Sequence, residues 1–164
     1  MAGALALVAS ACGDDGESAA PSVEGDAPAD PGEGPRGCEP VGVELEGQAS
    51  ETVAVRLDEY AFDPDTIEVG AGTVTFEARN VGEEEHELAF LPGGGDVPLN
   101  AEGEPDEDAL KQAGAFELEA FGPGQTCNAT YTLEPGSYTL FCIVQAPDGQ
   151  NHLSKGMRGE LVVR

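Results

Sequence analysis

An all-β sandwich is the fold class this sequence predicts, on three observations. Apolar residues alternate with polar ones through Val53, Val55 and Leu57 and again through Val74, Phe76 and Ala78, the period-2 pattern of strands with one buried face. Turn formers recur at short intervals, with 23 glycines and 12 prolines among 164 residues, and Asp63-Pro64-Asp65 and Gly70-Ala71-Gly72 break the chain between those runs. The hydrophobic share of 40% suffices for one core, and the length allows one domain with tails.

Taken in order, Met1 to Cys12 read MAGALALVASAC, an apolar run that closes on Ala9, Ser10 and Ala11 before a cysteine. This resembles the end of a bacterial lipoprotein signal peptide with its lipobox. The resemblance implies that Cys12 is lipidated and that the protein is extracytoplasmic, either periplasmic or lipid-anchored to the outer face of the cell membrane. One departure is that no Lys or Arg precedes Arg36, whereas export signals open on a basic region. A plain secretory signal or a short disordered end is the alternative. The run is too short to span a bilayer, which takes about 20 residues. Residues 13–37 are Gly, Pro, Ala, Ser and acids with Val23 as their one large aliphatic side chain, so they read as a disordered tether.

Residues 38–164 are the predicted folded domain. Beyond the two alternating runs, strands are expected at about 86–91, 115–121, 126–133, 137–142 and 159–164. Between them, 92–114 does not read as strand. It carries a Pro-Gly-Gly-Gly loop, five acids from Glu102 to Asp108 and a short helix at about 106–113, and is expected to be a surface insertion with a solvated acidic face. Clustered carboxylates that hold Ca²⁺ loosely are the alternative there. Glu134-Pro135-Gly136-Ser137 fits a type II turn, with Gly where φ must be positive.

The last turn carries the chemistry. FCIVQAPDGQNHLSKGMRG, from Phe141 to Gly159, places Cys142, His152 and Met157 on one loop after a strand. A thiolate, an imidazole and a thioether together suit copper, because sulfur ligands match a soft ion. A blue-copper site needs a second imidazole, and His86 is the one other histidine in the chain. Singly, each residue has an ordinary reading: His86 as a solvated base among glutamates, Cys142 as a core thiol, His152 as a polar loop residue and Met157 as packing. Jointly, the two histidines and the one methionine beyond Met1 all fall on a single ligand template.

AFDPDTIEVGAGTVTFEARN, then His86, then SYTLFC followed by His152 and Met157, resembles a cupredoxin of the plastocyanin/azurin type over roughly residues 51–164. The resemblance implies a Greek-key β-sandwich with one mononuclear type 1 copper ion at one end, held by His86, Cys142, His152 and Met157. It also implies an electron port at His152 near the surface beneath an apolar patch, for which Leu153, with Pro147 or Leu91, are the candidate members. Two departures stand out. Nine residues separate Cys142 from His152, more than in plastocyanins and azurins, and Ala146–Asn151 reads as an inserted turn. Glu87 occupies the position where the family often has Asn or Ser to tie the ligand loops together, and a carboxylate there would favour Cu(II) and lower the potential.

With Cys12 assigned to lipid and Cys142 to metal, Cys38 and Cys127 remain, and in an exported protein they are expected to form a disulfide. A buried unpaired thiol at Cys127 is the alternative.

The expected function is electron carriage between extracytoplasmic redox partners by Cu(I)/Cu(II) cycling, not an enzymatic reaction. Copper storage or delivery, and a metal-free interaction domain, are the alternatives. A copper enzyme with a second metal site would need more histidines than this chain has. A formal charge of -25, from 32 acids against 7 bases, excludes a general charge-driven affinity for nucleic acid or anionic lipid. It points to a redox partner with a basic face, such as a cytochrome, an oxidase or a reductase, and the chain itself is expected to be a monomer.

Overall fold

The computed structural model describes residues 40–41 and 49–164. Cys12, the tether over 13–37 and Cys38 lie outside these residues. Two sheets are formed. The larger contains β1 (Pro40–Val41), β7 (Phe116–Phe121), β6 (His86–Pro92), β9 (Gly136–Phe141), β10 (Arg158–Val163) and β4 (Thr66–Val69), in that spatial order. The smaller runs β3 (Ala61–Asp63), β2 (Glu51–Asp58), β5 (Gly72–Asn80) and β8 (Thr126–Leu133). Two pairings are parallel, β2 with β5 and β4 with β10, and the chain changes sheet repeatedly, as a Greek-key sandwich requires.

The alternating runs set the inner faces. Val55, Leu57, Val74, Phe76, Ala78, Ala129, Tyr131 and Leu133 face across to Leu88, Phe90, Leu118, Leu140, Leu161 and Val163, all buried. Phe90 centres this layer, stacked on Phe116 at 4.8 Å and tilted against Phe76 at 4.7 Å. The Tyr131 hydroxyl donates to the Glu117 carbonyl at 2.7 Å, so its polar end is satisfied within the core.

Three features differ from the sequence reading. AFDPDTIEV holds two short strands, β3 and β4, around the Asp63-Pro64-Asp65 break. β3 pairs back on β2, while β4 crosses to the other sheet and pairs with β10, so the break is where the chain changes layer. At 134–137 the link is a bend, because Gly136, at φ 155°, is already paired with Val163 in the ladder. The segment 92–114 is more than a surface insertion. It does carry α1 (Glu107–Gln112), capped by the Asp106 carboxylate accepting from Ala109 N–H at 2.9 Å. Its Val97 and Leu110, however, pack with Ala89, Leu91 and Phe141 on the outer face of β6 and β9, joined by Ile143 and Leu153. This cover explains why His86 to Leu91 is buried on both faces rather than alternating.

Cys127, buried on β8, is disulfide-bonded, so the free-thiol alternative does not hold, and its expected partner Cys38 lies outside the described residues. Among the described residues no helix is long and apolar enough to cross a membrane.

The outer cluster depends on Leu110, which is 5% exposed. Leu110→Ala should cost about 2–4 kcal/mol in chemical denaturation, as expected for a buried leucine in a small cluster.

Candidate metal centre

Two adjacent strands bring the site together. His86 opens β6 and Cys142 immediately follows β9, and these strands are antiparallel neighbours with Ala89 opposite Phe141. The loop leading to His86 is held by Asn80, which is fully buried. Its side chain donates to the carbonyls of Glu84 at 2.8 Å and Phe121 at 2.9 Å and accepts from Gly82 N–H at 3.0 Å.

On the other side the loop after Cys142 makes a closed turn, with Ala146 N–H donating to the Gln150 carbonyl and Gly149 N–H to that of Ala146. His152 N–H then returns to the Val144 carbonyl at 2.9 Å, and Asn151 Oδ1 accepts from Ser154 N–H at 2.8 Å. The inserted residues are therefore absorbed as a hairpin-like excursion before the second ligand. Gly156, at φ 101°, closes the next turn, so that Met157 N–H donates to the His152 carbonyl and the Met157 carbonyl accepts from Cys142 N–H. Met157 is thus tied through its backbone to two of the other three expected ligands.

His86, Cys142 and His152 are all fully buried, with ligand atoms within 4.8 Å of one another. His86 Nδ1 lies 3.1 Å from His152 Nδ1, and Cys142 Sγ lies 3.4 Å from His152 Nδ1. Both Nε2 atoms face outward to carboxylates, His86 to Glu59 Oε1 at 3.1 Å and His152 to Glu84 Oε2 at 3.0 Å. Two imidazole nitrogens and a sulfur converging in a buried pocket, with a buried thioether on the adjoining turn, fit copper in its type 1 donor set.

The copper-binding protein model of the plastocyanin/azurin family matches residues 49–164. The chain belongs to this family. Among solved structures, this cupredoxin is similar to auracyanin B, with 23% identity and a TM-score of 0.58 over 77% of this chain and 99% of that one. It is also similar to the dithionite-reduced auracyanin of Roseiflexus castenholzii, with 26% identity and a TM-score of 0.53 over 71% of this chain and 99% of that one. An azurin from Methylomonas sp. strain J aligns with 20% identity and a TM-score of 0.50 over 71% and 99%. No curated protein matches this chain. His86, Cys142, His152 and Met157 form the type 1 copper site of this cupredoxin, and copper is its cofactor.

Burial pushes the Cys142 thiol up to about 12, with the Glu87 carboxyl adding to the effect and the N–H groups of Glu87 and Val144, both directed at the sulfur, opposing it. Metal must therefore displace a proton there. Burial, then the neighbouring His86, pulls the His152 imidazole below its ordinary value against the opposing Glu84 carboxylate, which keeps the ring neutral and available as a ligand. Burial also works to raise the Glu59 carboxyl, but the N–H groups of Glu84 and Glu83, then the side chains of Asp58 and His86, outweigh it and bring it down to about 2.

Glu87 does more than lend a backbone N–H. Its buried carboxyl accepts from Ile143 N–H at 2.6 Å and so ties the two ligand loops together, as a neutral side chain would. Burial pushes it up to about 8, with Glu117, Glu107 and Glu119 adding to the shift against the Ile143 hydrogen bond. The negative charge expected beside copper is therefore largely absent at neutral pH.

His152 departs from the expected port. It is fully buried, with the Tyr60 ring edge-on at 4.8 Å and Glu84 over its Nε2, and no bare imidazole edge lies in an apolar patch. Lys155 sits over the Tyr60 ring and pairs with Asp148, while Leu91, named for the patch, belongs to the outer cluster. Sequence reasoning missed Glu59, Tyr60, Asn80 and Glu84. The run Glu83-Glu84-Glu85 beside His86 is a visible signal, but in the sequence alone it only makes His86 read as a solvated base.

Between about pH 4.5 and pH 8 the folded protein keeps a proton on Glu87 that the unfolded chain has lost, so this group lowers stability as pH rises through that window. Glu87→Gln should match the parent near pH 5 and exceed it at pH 8 by on the order of a few kcal/mol, read from denaturant midpoints of the apo-protein.

Proposed function

We propose that this cupredoxin carries single electrons between extracytoplasmic redox proteins. Bound copper supplies the chemistry, one electron taken up or given back between Cu(I) and Cu(II). The observation that carries the reading is the convergence of His86, Cys142 and His152, each without exposed surface, at the end of the larger sheet where β6 and β9 lie side by side. Donors fixed in this way need little rearrangement when the charge changes. Their burial also favours a carrier over a protein that hands its copper on, because release requires the ligand loops to open.

The resemblance of the first residues to a lipoprotein signal supports a lipid anchor at Cys12, with residues 13–37 as tether. The partner would meet Tyr60, Glu84 and Lys155, which cover His152, amid Asp58, Glu83, Glu85 and Asp148. Acids outnumber the single lysine there, so the matching partner face is basic.

Two outcomes test this reading. Adding Cu(II) to the apo-protein should produce an intense visible thiolate-to-copper band that is absent in Cys142→Ser, and a pale solution would defeat it. The association rate with a basic one-electron partner should fall steeply as ionic strength rises, and a flat stopped-flow dependence would remove charge steering from the account.

A further inference from the structure

Ordinarily a ligand histidine fixes its tautomer through whatever its second nitrogen bonds to. In this chain both second nitrogens meet carboxylates, at 3.1 Å on Glu59 and 3.0 Å on Glu84, beneath imidazoles with no exposed surface. We propose that Glu59 and Glu84 are positioning residues of the copper site, each holding the Nε2–H of one ligand imidazole so that both Nδ1 lone pairs are aimed at the metal beside Cys142. A carboxylate can only accept, so an imidazole that carries one proton carries it on Nε2, and Nδ1 is left free to ligate.

The two carboxylates are themselves anchored. Glu59 Oε1 accepts from the N–H groups of Glu83 and Glu84, both at 2.8 Å, and its head lies where Gly82 has no room for a Cβ. Glu84 Oε1 accepts from the Tyr60 hydroxyl at 3.2 Å, and Tyr60 lies edge-on to the His152 ring. The pair is interlocked, because the residue whose N–H steadies Glu59 on His86 is the one whose side chain holds His152. The loop fixed at its root by Asn80 thus bears on both imidazoles, on His152 through the Glu84 side chain and on His86 through the N–H groups that hold Glu59. Two carboxylates on the outer nitrogens also favour the more highly charged Cu(II), which places the potential lower than neutral partners would.

The inference rests on the copper site but not on electron carriage, and its first readout needs no copper. ¹⁵N NMR of the apo-protein reports which imidazole nitrogen carries the proton, and chelator competition reports Cu(I) affinity. The parent should show both rings protonated at Nε2. Glu59→Leu and Glu84→Leu should each lose that tautomer at the ring they face and bind Cu(I) about 10-fold or more weakly. Glu59→Gln and Glu84→Gln, which keep an accepting oxygen without the charge, should restore the tautomer and raise the midpoint potential. Rings protonated at Nδ1 in the parent, or leucine variants with unchanged tautomers and affinity, would overturn the proposal. Should the leucine variants fail to fold, unchanged potentials in both glutamine variants would overturn it as well. A protein that binds no Cu(II) as a blue species would defeat the functional reading, while the apo tautomers would still answer for the two glutamates.

Discussion

The antiparallel pairing of β6 with β9 is the constraint on which the site depends. Ala89 lies opposite Phe141 and Pro92 opposite Tyr138, which leaves His86 and Cys142 at the same end of neighbouring strands with their ligand atoms turned inward. A slip of one residue would reverse the faces of β9, sending Cys142 out of the inner core and Phe141 out of the outer cluster. The register is well specified because both faces of β6 are buried, one by the sandwich and one by Val97 and Leu110 of the covering segment. The same outer cluster takes in Ile143 and Leu153, so the cover braces the ligand loop at two points as well as the strand beneath it.

The long spacing from Cys142 to His152 is compatible with this rigidity because the extra residues close on themselves. The bridge between Gln145 and Asn151 confines them to a turn, and Asn151 then caps the turn that begins at His152. The backbone bonds Cys142 N–H to Met157 carbonyl and Met157 N–H to His152 carbonyl tie the ligands to one another whatever the length of chain between them. Loop length changes what stands outside the site, here Asp148 reaching Lys155 over the Tyr60 ring, more than the site itself.

The legible parts of the sequence were those with a period or a count. The strands built on Val53 to Leu57, Val74 to Ala78 and Thr126 to Leu133 show clean alternation, and the helix at Glu107–Gln112 announces itself through Asp106 and the acids of its first turn. The ligands were legible because a chain with two histidines has few ways to build such a site. β3 and β4 were not, since runs of 3 and 4 residues are too short to show a period and the Pro between them reads as a break. Nor were Glu59 and Glu84, because nothing local separates an acid that caps a buried imidazole from one that faces water. That difference is made by Asn80, which folds the loop back, and by a glycine at 82 that leaves space for a carboxylate.

Two glutamates beside one site show how far environment outweighs residue type. Glu59 is reached by two backbone N–H groups and an imidazole, and these donors help hold it ionised down to about pH 2 although it is partly buried. Glu87 has a single N–H donor, from Ile143, and a ring of like charges in Glu117, Glu107 and Glu119, so it keeps its proton up to about pH 8. At neutral pH the negative charge near copper therefore lies on the imidazole side of the site, while the thiolate side is tied together by a neutral carboxyl. This division suits both groups. A second charge beside Cys142 would oppose formation of the thiolate that copper requires, whereas a carboxylate on an imidazole nitrogen strengthens that ring as a donor. The acidic composition of the chain is thus compatible with a buried thiolate because Glu87, the acid that bears on it most, gives up its charge at neutral pH.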